Sequence, residues 1–144
     1  MIRTGVITGN SGDPAVRAVT YFPQRSAIRR GNRWGADMIL IVVRHLIRPE
    51  YADDFPRMME DFTTATRAEP GSISFEWSRS TDDPAVYFLV EVFRDAAAGE
   101  AHVTSSHFKA ALARLPGLLA GPPEIINADV AADGWSTMAE LPQS

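Results

Sequence analysis

The chain contains no cysteine, which excludes disulfides, thiolate metal sites and a cysteine nucleophile, and suits a cytoplasmic protein. It also lacks long hydrophobic runs. The longest, Met38 to Val43, falls far short of the roughly 20 apolar residues a membrane-spanning helix needs. No apolar stretch follows the N-terminus in the manner of a secretory signal. There is no excess of positive charge. A net charge of -4 argues against nucleic acid or an anionic membrane as partner. No glycine-rich loop of the dinucleotide or Walker type is present, so bound NAD, FAD or ATP is not expected. What remains is ordinary globular material. The 144 residues are 45% apolar and 22% charged, enough for one domain with a proper core.

Charge divides the chain in two. Residues 1–37 hold six arginines against two acids, while residues 38–144 hold eight basic and sixteen acidic side chains. The first part shows scattered Gly and Pro and no sustained apolar stripe, and reads as a poorly ordered basic extension. A targeting peptide, a partner-binding arm and an over-long reading frame are the competing explanations. The abrupt start of regular patterning at Met38 favours the last.

From Met38 the pattern is regular. Met38 to Ile47 is apolar and β-branched and predicts a buried strand. Pro49 and Glu50 open a helix in which Tyr51, Phe55, Met58, Met59 and Phe62 form one stripe, ended by Pro70-Gly71. Ser72 to Ser80 alternates, with Ile73, Phe75 and Trp77 on one face. Thr81 to Pro84 is a turn, so Ala85 to Phe93 forms an antiparallel hairpin with that strand. Asp95 is the predicted N-cap of a helix over Ala96 to Val103, and Ser105 or Ser106 caps a second piece carrying Phe108, Ala111, Leu112 and Leu115. Glu124 to Ala131 is the last strand, followed by a tail without pattern.

The order is βαββαβ: an α+β ferredoxin-like fold, an antiparallel sheet with helices on one face, over residues 38–130. Met38–Val43 is apolar on both sides, so the second sheet face also needs cover. A homodimer packed through the sheet faces supplies it most economically.

Several segments together resemble the antibiotic-biosynthesis-monooxygenase family. They are Arg48-Pro49, then Glu69-Pro70-Gly71-Ser72-Ile73-Ser74-Phe75-Glu76, and Asp82-Asp83-Pro84. Val90-Glu91-Val92-Phe93, and Ala101-His102 with Ser105, His107 and Phe108, complete the set. The resemblance implies a dimeric α/β barrel with a cavity between sheet and helices in each protomer. It also implies one of several activities: cofactor-free oxidation of quinols or phenols by O₂, isomerisation of small ketones, or haem degradation. Fold alone does not choose among them. The haem-degrading branch relies on an asparagine on the first strand and a tryptophan near the end of the third. Here the first strand has no asparagine and the third ends in Phe93.

Cofactor-free oxygenation needs a base to remove a phenolic proton, and an imidazole suits that. His102 matches the family's recurring helix histidine, with helix docking as the competing reading. His107 matches a second recurring position beside polar neighbours and is a substrate-binding candidate. His45, near the end of the first strand, matches neither and reads as a structural or interface residue. Glu91 interrupts an apolar strand on the face of Tyr87, Leu89 and Phe93, costly if buried without partners. It either assists the base or pairs with Arg44 or Arg79. Phe75 and Trp77 can stack on a flat substrate and Tyr87 can donate a hydrogen bond, with core packing the alternative for each.

No metal is expected. There is no HExxH, and His102 and His107, five apart, do not share one face of a continuous helix. The expectation is a cofactor-independent monooxygenase of a small aromatic substrate, with His102 and Glu91 catalytic and Trp77, Phe75, Tyr87 and His107 around the substrate. The alternatives are an isomerase on the same site and a non-catalytic dimeric ligand-binding module.

Overall fold

A computed structural model describes residues 37–141. Apart from Asp37, the expected basic extension lies outside the described residues.

The elements are β1 (Met38–Leu46), α1 (Phe55–Met58), α2 (Glu60–Arg67), β2 (Ser72–Arg79), β3 (Val86–Phe93), α3 (Ala96–Thr104), α4 (Ser106–Arg114) and β4 (Glu124–Val130). The strands form one sheet in the order β2-β3-β1-β4, every neighbouring pair antiparallel. This is the expected α+β ferredoxin-like arrangement: β1 and β2 run the same way with β3 between them.

The first helical segment departs from the expected single helix. Pro49–Tyr51 is a separate 3₁₀ turn, and regular helix begins only at Phe55. Pro56 explains the restart: it has no amide hydrogen and is tolerated only in a helix's first turn. The apolar stripe survives. Phe55 and Met59 are buried, and Met58 and Phe62 pack beside them.

Strand alternation sorts the sheet's two faces. Ile39, Ile41 and Val43 of β1 join Phe75, Leu89, Phe93 and Ala98 of α3 in one core cluster. Ile47, Phe55, Met59, Tyr87, Ala111 and Leu118 form a second. Phe55, Phe75 and Phe93 are wholly buried, each stabilising the fold by about 2–3 kcal/mol. On the opposite face, register aligns Val42 with Val90 and Ile126, and Leu40 with Val92 and Ala128. The helices lie on the other side, and Ile126 is 69% exposed.

Candidate active site

Glu69 from the turn between α2 and β2, His102 of α3 and His107 of α4 meet at one point. Glu69 lies in the turn that ends the first helical segment, where its amide donates to the Thr66 carbonyl and its carbonyl accepts from Ser72. Asp95 caps α3: its Oδ1 accepts from the Ala98 amide at 2.8 Å. That cap sets the helix phase, turning Ala98, Gly99 and His102 toward the sheet. Gly71 allows the close approach, since a Cβ there would stand 2.2 Å from the Ala98 Cβ. Ser105 has extended backbone, ends α3, and caps α4 by accepting from the Phe108 amide. That break turns the chain so that His107, early in α4, reaches the carboxylate that also meets His102.

The imidazole Nδ1–H of His102 donates to Glu69 Oε1 at 3.0 Å, and the Nε2–H of His107 donates to the same oxygen at 2.5 Å. In the neutral His102 ring this fixes the proton on Nδ1 and leaves Nε2 with a free lone pair. Nε2 is buried without a hydrogen-bond partner and faces Glu91 Oε2 across 3.8 Å. The surroundings are aromatic: ring centroids of Phe93 and Phe108 both lie 4.9 Å from that of His102, with Phe62 and Phe75 slightly farther. Burial pushes the His102 imidazole below its ordinary value, and the Glu69 carboxylate resists this. Glu91 sits on β3 between Ile41 and Phe75. Burial, with the Glu69 charge adding to it, pushes its carboxyl up to about 8.

The structure thus gathers His102, His107, Glu91 and Phe75. Glu91 does not pair with arginine: Arg44 bonds Glu124 and Arg79 bonds Asp53. Tyr87 lies in the other core cluster, its hydroxyl donating to the Ala52 carbonyl at 2.8 Å. Trp77 also stands apart. Its indole N–H donates to Thr63 Oγ1, its ring packs edge-on against Phe55, and it lines an open groove of about 440 Å³ with Arg57, Thr64 and Arg67. His45 is buried against Trp77 and Phe55, which gives it a structural place in the core. The expectation that His102 and His107 diverge is overturned. Their spacing argument assumes a continuous helix, and the helix breaks at Ser105. Glu69, the centre of the cluster, carried no periodicity signal; only its place in the Glu69-Pro70-Gly71 turn marked it.

A small ferredoxin-like α+β domain with a buried imidazole–carboxylate cluster under its helices defines the class. The profile of the antibiotic biosynthesis monooxygenase family matches residues 38–114, and the chain belongs to that family. Among solved structures it is similar to a Caulobacter crescentus protein named for the same family. The identity is 28%, the TM-score 0.62, and the match covers 69% of this chain and 94% of that one. It is also similar to Rv0793 of Mycobacterium tuberculosis, with 25% identity, TM-score 0.59, and coverage of 63% and 92%. A sequence relative is sll1783 of Synechocystis, an uncharacterised protein 29% identical over 92 residues. The match takes in 63% of each chain, so this chain spans just under two thirds of that relative's length. Among the described residues no helix is long and apolar enough to cross a membrane.

Proposed function

We propose that this chain is a cofactor-independent monooxygenase that oxidises a quinol or phenolic small molecule with O₂. The observation that carries the reading is the His102 Nε2 lone pair, set in an aromatic enclosure, fixed in direction by Glu69 and aimed at Glu91. Nε2 takes the substrate's hydroxyl proton, and Glu91 hydrogen-bonds the same oxygen. The resulting anion is electron-rich enough to reduce O₂ itself. One oxygen atom enters the substrate and the other leaves as water, with all electrons drawn from the substrate. Phe62, Phe75, Phe93 and Phe108 offer apolar contact to a flat ring. We further propose that the protein works in the cytoplasm as a homodimer joined through the sheet faces bearing Val42, Val90 and Ile126.

The test is oxygen uptake by metal-free, flavin-free protein across a panel of hydroquinones. Uptake above the spontaneous rate is expected, falling about 10²–10⁴-fold in His102→Gln. Uptake no faster than the spontaneous rate across the panel overturns the reading. Turnover without oxygen redirects it to an isomerase. One observation favours the non-catalytic alternative: His102 is only 1% exposed, and the open groove beside Trp77 does not include it.

A further inference from the structure

The geometry points to a divalent transition-metal site formed by Glu69, His102 and His107, with Glu91 as its outer carboxylate. One donor atom from each of Glu69, His102 and His107 lies within 4.8 Å of the other two, and Glu69 Oε1 already meets His102 Nδ1 and His107 Nε2. Two imidazoles and one carboxylate are a donor set that suits borderline divalent ions, Zn²⁺ and Fe²⁺ among them. Ligands about 2.1 Å from a tetrahedral ion stand about 3.4 Å apart. The two N···O distances of 3.0 and 2.5 Å therefore need to open by less than about 1 Å.

Hydrogen bonding explains these two contacts but leaves two buried atoms unexplained. Glu69 Oε2 and His102 Nε2 have no partner. A metal ion on this triad accounts for both. A carboxylate on a metal can share its second oxygen with the ion. An imidazole bound through Nδ1 must carry its proton on Nε2, and His102 Nε2 points at Glu91 Oε2. That is the carboxylate–histidine–metal relay that commonly orients a ligating histidine. Two carboxyl groups, Glu69 and Glu91, meet at this point, and among the described residues neither has an arginine or lysine in ion-pair contact. A route in exists, because Glu69 and His107 keep 15% and 25% of their side chains exposed.

The site is separable from the proposed oxygenase chemistry. Metal on Nδ1 moves the ring proton to Nε2 and removes the lone pair that chemistry uses, so a loaded protein is an inhibited one. The experiment therefore reads binding without substrate. Untagged full chain, freed of metal, is titrated with Co²⁺ and followed by visible d–d absorption, then with Zn²⁺ in competition. One Co²⁺ per protomer, displaced by Zn²⁺, is expected. His107→Ala and Glu69→Gln weaken binding at least 100-fold, and Glu91→Gln weakens it about tenfold. Far-UV circular dichroism confirms that each variant folds, and His107→Ala, at a partly exposed position, is the variant least able to disturb the core. Absence of saturable absorption overturns the proposal. So does binding unchanged in the folded His107→Ala variant, which marks an adventitious surface ion.

Discussion

Burial of His45 between Phe55 and Trp77 lowers its pKa to about 4, against the weaker opposing effect of backbone groups at Val43 and Tyr87. Unfolding restores the ordinary 6.5, so between those values the unfolded chain binds the extra proton. Stability from this residue is complete above pH 6.5 and is lost as pH falls toward 4. The loss is on the order of 3 kcal/mol, at about 1.36 kcal/mol per unit. His45→Leu removes that loss. Urea unfolding of both proteins is expected to show the variant gaining on the wild type by roughly that amount from pH 7 to pH 4. A constant difference across the range would show that His45 does not titrate with folding. Trp77 gives a second residue-scale outcome. Trp77→Phe loses the bond to Thr63 Oγ1, leaving the Thr63 hydroxyl bonded to the Met59 carbonyl. The expected cost is about 1–2 kcal/mol by denaturant midpoint, including the smaller ring's lost packing against Phe55.

At the scale of elements, two short features hold the cluster together. Gly71 lets α3 sit directly on the start of β2. Gly71→Ala introduces a clash with Ala98, expected to cost about 1–3 kcal/mol and to push His102 away from Glu69. Thermal unfolding measures the first effect, and the imidazole NMR signals of His102 measure the second. An unchanged melting temperature would mean that α3 does not pack as closely as the 2.2 Å approach requires. Ser105 separates α3 from α4 and caps the latter through the Phe108 amide. Ser105→Ala loses about 1 kcal/mol of helix stability. Faster amide exchange is expected at Phe108 and the next turn, with α3 unaffected because Asp95 caps it independently.

For the molecule as a whole, the outstanding question is what covers the sheet face opposite the helices. Val42, Val90 and Ile126 align across three strands there, and Ile126 is largely exposed. Exposed apolar patches of this kind mark interaction surfaces. Light scattering of the wild type is expected to give a dimer. Val90→Glu is expected to give a folded monomer, because a charge at the centre of the patch loses its solvation only when two sheets meet. A wild type that is monomeric at micromolar concentration would end the proposal of sheet-to-sheet pairing.

Strand and helix identity were legible because each rests on local physics. The alternation of Phe75 and Trp77 with Ser74, Glu76 and Ser78 requires a pleated strand, and its pairing is irregular only at Ile73. Asp95 and Ser105 satisfy orphan amides at the helix starts, and the Thr81–Pro84 turn pairs β2 with β3. From these the βαββαβ order follows, and with it the fold. The placement of Glu91 and Phe75 on the helix side was legible by parity alone. The meeting of Glu69 with His102 and His107 was not. It joins residues 33 and 38 positions apart, and no periodicity links a turn to two helices. It depends on the close fit at Gly71 and on the change of chain direction at Ser105, both set by how the helices pack. The amino-acid order thus determined the elements and the faces they bury, since those depend on neighbours a few residues away. Only the tertiary structure decided which buried polar groups meet, because that depends on angles between packed elements, and a shift of an ångström makes or breaks the cluster.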